Sequence, residues 1–314
     1  MELSPVRPRW GGTVEGTIRT PDTSSVIVGV DGSKPARAAA LWAADEAARR
    51  GRPLHVLYAA DTDNKALYLS AHTVDGIRAA GRTLLDDTAR AVTAAHPDLQ
   101  VTTEFSRHDA VTALHAAGGP YGTVVVGSRG LGGFNSLMLG SIGLKTAAGA
   151  RTPVVVVRGN GDGAETGVVL AAVRDEHDLV CARYAAREAE LRKASLRLLH
   201  VWSLLESVGN VVGQLDAVDE LAQEHVRHLT AVADQVHEEF PALRVHADAE
   251  KSVSVGGVLV EATRHADLLV MGGRRERGFI GTTLGRATHT LVHHAHCPVL
   301  LIPRMPEPKE EEAS

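Results

Sequence analysis

The residues best suited to chemistry lie in one stretch, Val124 to Ser141 (VVVGSRGLGGFNSLMLGS), where Gly127, Gly130 and Gly140 are separated by two and nine residues and Ser141 follows the last glycine. A β-branched run, Val124 to Val126, leads into the first glycine. A buried strand that ends on glycine can turn at φ values other residues resist, and it leaves main-chain N–H groups bare enough for a phosphate to approach. The apolar segment Ile142 to Ala150 then reads as a helix, which sets the last amides and the Ser141 hydroxyl at a helix N-terminus, where negative charge is favoured. The chemistry indicated is anion binding by main chain rather than bond breaking.

Asp31 is a second candidate. It closes the apolar strand Val26 to Val30 and precedes Gly32-Ser33, so it serves either as a helix N-cap ahead of Pro35 or as a contact to a bound ligand. Arg129 and Lys145 are the cations nearest the glycine loop, and a solvated surface role suits each as well. Two other phosphate loops fail on their own spacing. Lys145-Thr146 is like the end of a Walker A sequence, but Leu144 stands where glycine must precede the lysine, and no G-x-G-x-x-G follows Val30. His289, His293, His294, His296 and Cys297 form a metal-like cluster, yet no carboxylate or second cysteine stands near them in sequence to complete a zinc site, and no metal ligand is assigned. The chain has 16 histidines, and none stands with a nucleophile at a recognisable spacing such as G-x-S-x-G, so no catalytic residue is assigned.

The elements that must position these residues are spelled out twice. Strands are predicted at Val26 to Val30, Leu54 to Tyr58 and Val101 to Phe105. Helices are predicted at Ala36 to Arg50, ended by Gly51, at Val74 to Ala95 and at Ala110 to Ala117. Pro153 to Val157 closes this half with the unbroken valine run of a strand covered on both faces. Gly159 to Gly167, glycine-dense and polar, reads as a linker. The order then recurs: Val168 to Val173, Cys181 to Leu191, Leu196 to Trp202, Leu268 to Gly272, Gly278 to His289 and Pro298 to Ile302 mirror their counterparts. Alternating strands and helices imply parallel βαβ units with right-handed crossovers, hence an α/β chain of two tandem doubly wound, open, parallel five-stranded sheets. The expected division is a disordered extension over 1–24, a first domain over 25–158, the linker over 159–167, a second domain over 168–303 and an acidic tail over 304–314.

Composition agrees with two globular units. At 314 residues, 44% hydrophobic and 23% charged with a net charge of −5, the chain has neither a nucleic-acid footprint nor a disordered or membrane profile. Cys181 and Cys297 lie far apart in apolar surroundings, which suits buried thiols in a reducing compartment, the cytoplasm. No signal-peptide core and no long apolar run is read, so no membrane is expected.

The glycine spacing, together with VIVGVDGS (Val26 to Ser33) and CPVLLIP (Cys297 to Pro303), resembles the ATP-binding universal stress proteins, and the resemblance runs from about Ser25 to Pro303. It implies an adenine nucleotide alpha hydrolase-like fold of strand order 3-2-1-4-5, with Asp31 and Gly127 ending the two strands that flank the topological switch point. It further implies Asp31 beside the nucleoside, main-chain groups of Ala59 on the base, and Gly127, Arg129, Gly130, Gly140 and Ser141 around the phosphates. The ligand implied is ATP with Mg²⁺ or Mn²⁺, and the function a cytoplasmic nucleotide-dependent stress-response regulator or sensor acting on a protein partner, with slow hydrolysis at most. The closing strands are expected to pair the two halves as a pseudo-dimer within the chain, and two chains to associate further as a homodimer. The alternatives are an oligomerisation or scaffold module of the same fold that uses no nucleotide, or an ATP hydrolase, for which the sequence offers no positioned base.

The second half keeps only the frame of the loop. Gly272 aligns with Gly127 and Gly285 with Gly140, but Arg275 replaces Gly130, Arg286 replaces Ser141 and Val173 replaces Asp31. One nucleotide per chain is therefore expected, held by the first half, unless Arg274, Arg275, Arg277 and Arg286 build phosphate contacts of their own.

Overall fold

A computed structural model of the chain describes residues 25–65, 68–130, 140–158, 165–174, 178–203, 215–273, 275–278 and 281–303. The expected extension 1–24, linker residues 159–164, inner loop residues 131–139 and the tail 304–314 lie outside the described residues.

The first half runs β1 (Val26–Gly29), α1 (Lys34–Arg49), β2 (Leu54–Ala59), a short α2 (Thr62–Lys65), α3 (Ala71–Ala95), β3 (Val101–Ser106), α4 (Ala110–Gly118), β4 (Thr123–Gly127), α5 (Ser141–Gly149) and β5 (Val154–Val157). The second runs β6 (Val168–Ala172), α6 (Leu179–Arg192), β7 (Ser195–Trp202), α7 (Leu215–Glu239), β8 (Val245–Lys251), α8 (Val255–Ala262) and β9 (Leu268–Gly273). A hairpin of β10 (Arg275–Gly278) and β11 (Gly281–Leu284) follows, then α9 (Arg286–His294) and β12 (Val299–Pro303). Neither α2 nor the hairpin is expected from periodicity.

The strands form one ten-stranded sheet in the order β3-β2-β1-β4-β5-β12-β9-β6-β7-β8. The first half thus has the 3-2-1-4-5 order, and the second repeats it in mirrored sequence. The two five-stranded halves join edge to edge into this one sheet. β5 and β12 pair antiparallel, Val299 opposite Val156 and Leu301 opposite Val154, and fuse the halves. The reason is physical: Val154, Val155 and Val156 are wholly buried, and an apolar strand left at a sheet edge would present unpaired N–H and C=O groups. Each half covers the other's edge, which is the expected pseudo-dimer.

Helix α1 shows how closely the layers pack. Ala36, Ala39, Ala40, Ala43, Ala44 and Ala47 form its buried stripe, and side chains this small let the helix lie near the sheet. Ser33 starts it, its hydroxyl accepting from Ala36 N at 3.2 Å, and Gly51, at φ +60°, turns the chain away after it. At the seam, the last turns of α1 and α6 meet. Arg50 donates to Glu46 at 2.6 Å and also to Glu188, while Arg192 donates to Glu46 at 2.5 Å and to Glu188. All four side chains are buried. Both cysteines are buried thiols outside any disulfide, and among the described residues no helix is long and apolar enough to cross a membrane.

Candidate nucleotide site

β1 and β4 lie side by side, Val26 opposite Thr123 and Val28 opposite Val125, so the loops that leave their C-terminal ends must meet. After β1 the chain turns through Gly32 at φ +87°, a value that favours glycine. The Asp31 carboxylate holds this turn by accepting from Ser33 N at 2.9 Å. Asp31 is therefore not the N-cap of α1; Ser33 is. After β4, Ser128 N donates to Val157 O at 3.1 Å and Gly140 N donates to Ser128 O at 3.0 Å. The Ser33 hydroxyl donates to Arg129 O at 3.3 Å, tying the two loops together.

The glycines differ in what they avoid. A Cβ on Gly130 would fall 2.4 Å from Asp31 Oδ2, so the carboxylate occupies the space a side chain would need. A Cβ on Gly127 would fall 2.7 Å from Pro35 O and 2.9 Å from Ala36 N. Gly127 thus admits the first turn of α1 against β4, whereas the sequence suggested bare amides for a phosphate. At Gly140 the nearest atoms would be 3.5 Å away. This residue is the N-cap of α5, which no side chain caps among the described residues, and Ser141 beside it is exposed. The first-turn amides of α5 are the donors that a helix N-terminus offers an anion.

Ala59 is the last residue of β2 rather than the residue after it. In a parallel ladder, successive residues turn their N–H and C=O to alternate sides. Leu54 N donates to the carbonyl of Gln100, just before β3, Ala60 N donates to that of Ser106 at its end, and Leu57 O accepts from Val30 N. By that alternation Ala59 directs its main-chain groups to the β1 side, at the level where β1 has ended. A cavity of about 510 Å³ opens beside the same turn, lined by Gly32, Ser33, Arg37, Leu84 and Asp87.

Lys145 is exposed on α5. Arg129 is half-buried, and next to it stands a cation the sequence reading missed. Arg158 follows the last residue of β5, its Nη1 donates to Val292 O at 2.6 Å in α9, and burial first, then the Arg129 charge, push its pKa below the usual arginine value. As the residue after a valine run it reads only as a strand terminus. The 4-5 adjacency in the implied strand order was the signal that could have placed it beside Arg129.

The histidine cluster lies across the seam. His289 and His293 meet with their rings tilted, 4.3 Å between centroids, and His293 is pushed down to about 4 by burial and then by His289, Arg158 and His294. Among the described residues no group of three His, Cys, Asp or Glu side chains could hold a metal ion. Burial pushes the Cys297 thiol up to about 12, leaving it unreactive.

Three rings meet at the corresponding end of the second half. His200 and Trp202 stand where the repeat places Tyr58 and Ala60. His200 Nδ1 bonds Val173 O at 2.8 Å, His200 Nε2 bonds His225 Nδ1 at 2.9 Å, and Trp202 stacks on His225 at 4.6 Å. Gly285 caps α9 as Gly140 caps α5, but Arg275 opens the hairpin instead of a glycine loop, and Arg174 rather than Val173 stands at the level of Asp31, because Val173 N donates to Leu199 O as Val30 N does to Leu57 O.

Comparison with other proteins matches each half separately. The model of the Universal stress protein family matches residues 23–158 and 166–303. A universal stress protein of Mycobacterium tuberculosis H37Rv is 29% identical over 288 residues, covering 90% of this chain and 98% of that protein. Another, of Mycolicibacterium smegmatis, is 28% identical over 289 residues, covering 88% and 96%. The crystal structure of a universal stress protein from Archaeoglobus fulgidus DSM 4304 shares the fold at a TM-score of 0.65, with 18% identity and coverage of 90% and 98%.

Proposed function

We propose that this chain, which belongs to the universal stress protein family, binds one ATP in its first half and acts in the cytoplasm as a nucleotide-dependent regulator or sensor of the stress response. The observation that carries the reading is the meeting of the Asp31 turn, Gly130 and the uncapped N-terminus of α5 at the ends of the adjacent strands β1 and β4. In this reading Asp31 faces the ribose, Ala59 main-chain groups face the base, and the amides around Gly140 and Ser141 hold the phosphates with Arg129. Mg²⁺ or Mn²⁺ accompanies the triphosphate.

Regulation follows only if ATP binds one conformation, or one partner-bound state, better than another. Hydrolysis is slow at most, since no base is positioned by the residues assigned here. The rings of His200, His225 and Trp202 support a single site per chain. A homodimer is part of the reading, and its interface lies away from β5 and β12, whose edges pair with each other within the chain. Light scattering over a concentration series tests that step.

The test of the nucleotide reading is to denature the purified protein and identify what it releases by mass spectrometry, then to titrate emptied protein with ATP. One equivalent of ATP per chain is expected. Two equivalents would overturn the single-site reading, and a chain that neither releases nor takes up ATP would leave the nucleotide-free scaffold.

A further inference from the structure

We propose that Arg158 completes the phosphate site from the seam, holding the end of the triphosphate together with Arg129 and linking occupancy of the first half to α9 of the second. The inference rests on the ATP reading above. It starts from an unbalanced charge. The bond from Ser128 N to Val157 O sets the end of β5 against the loop that leaves β4, and Arg158 stands close enough to Arg129 for the two guanidinium groups to repel. Among the described residues no acidic side chain offsets that repulsion at Arg158, and neither arginine appears in an ion pair. The Arg158 Nε is buried and has no hydrogen-bond partner among the described residues.

A buried donor without an acceptor is uncommon in folded proteins and is a place where a water, an ion or a ligand oxygen can bind. Two guanidinium groups near enough to repel, one of them on Arg129, whose backbone lies against the N-cap Gly140 of α5, match the oxygens of a polyphosphate, which accept charge-assisted bonds from planar forks. One hand of Arg158 is already placed, its Nη1 on Val292 O near the end of α9. The same side chain also bears on His293 and His296. A phosphate drawn to the remaining donors would thus fix a residue that spans both halves.

A purely structural role, capping the last turn of α9, predicts something different: a stability change with no preference among nucleotides. The experiment is calorimetric titration of the full chain, wild type, Arg158→Gln and Arg158→Lys, with ATP, AMP and adenosine, beside thermal shifts with inorganic triphosphate. Arg158→Gln is expected to lose at least tenfold in ATP affinity and to keep adenosine affinity within about twofold. Arg158→Lys is expected to recover part of the ATP loss, and inorganic triphosphate to raise the melting temperature of the wild type more than that of Arg158→Gln. Equal ATP affinity in wild type and Arg158→Gln would overturn the role of Arg158 while leaving the ATP reading intact. Equal losses for ATP and adenosine would reduce Arg158 to a structural cap. A wild type that binds no ATP would remove the ATP reading and this inference with it.

Discussion

At the scale of single residues, three glycines that share one sequence signature separate into three physical jobs. Gly127 admits the backbone of Pro35 and Ala36, Gly130 makes room for the Asp31 carboxylate, and Gly140 caps α5 with space to spare. A backbone carbonyl cannot swing aside as a side chain can, so Gly127→Ala is expected to cost about 1–3 kcal/mol of stability through overpacking. Thermal unfolding should show it as a drop of several degrees. Gly140→Ala is expected to leave the melting temperature nearly unchanged. Gly130→Ala meets the end of a side chain, which can move, so the fold holds while the Asp31 carboxylate is displaced. ATP affinity should then fall about tenfold, or about 1.4 kcal/mol. Unchanged stability in Gly127→Ala, measured with a loss of ATP affinity, would return that glycine to the phosphates.

At the scale of elements, the strands were legible because β-branched runs report buried sheet directly, and the strand order came only with the family resemblance. What stayed hidden depended on contacts between elements. The arginine-rich word from Arg274 onward gave no sign of the β10–β11 hairpin, the end of β2 fell one residue late, and Arg158 gained meaning only once β5 lay beside β4. Helix α9 is a further case. Its histidines read as a metal cluster or a surface run, yet His293 is buried while His289 and His294 are exposed. The folded ring resists protonation, held to about 4 by burial, His289, Arg158 and His294, whereas the unfolded ring titrates at about 6.5. The unfolded state therefore binds the extra proton, and stability that is complete above about pH 6.5 is lost as pH falls toward 4. The full shift sets an upper bound of about 3 kcal/mol, and relaxation of the surrounding groups as the ring charges brings the expected figure to about 1–2 kcal/mol. Replacing the ring by His293→Phe should flatten the pH dependence of stability between pH 6.5 and 4.5 by that amount in denaturant titrations, and a slope equal to the wild type would show that His293 does not set it.

At the scale of the whole molecule, the two halves are held by the β5–β12 ladder and by the charge quartet of Glu46, Arg50, Glu188 and Arg192. In sequence each helix shows only a Glu and an Arg four residues apart, a spacing that reads as a solvated surface pair. The pseudo-two-fold turns both pairs inward, and none of the four side chains is more than 8% exposed. Burial alone would raise the Glu46 pKa, but Arg192 and Arg50 overcome it and hold the carboxylate at about 2. Glu188 is pushed the other way, by burial and by the Glu46 charge. Such a network adds little stability over a well-packed apolar cluster, yet removing one member leaves a buried charge unmatched, at a cost of about 3–5 kcal/mol. Arg50→Met and Glu188→Gln are each expected to show a loss of that order in denaturant unfolding. Because Arg50 and Glu188 contact each other across the seam, the double variant should lose less than the sum of the two, with a coupling energy of about 1–3 kcal/mol. Additive losses would mean that the quartet does not join the halves, and that the ladder and its apolar cover hold the ten strands together without it.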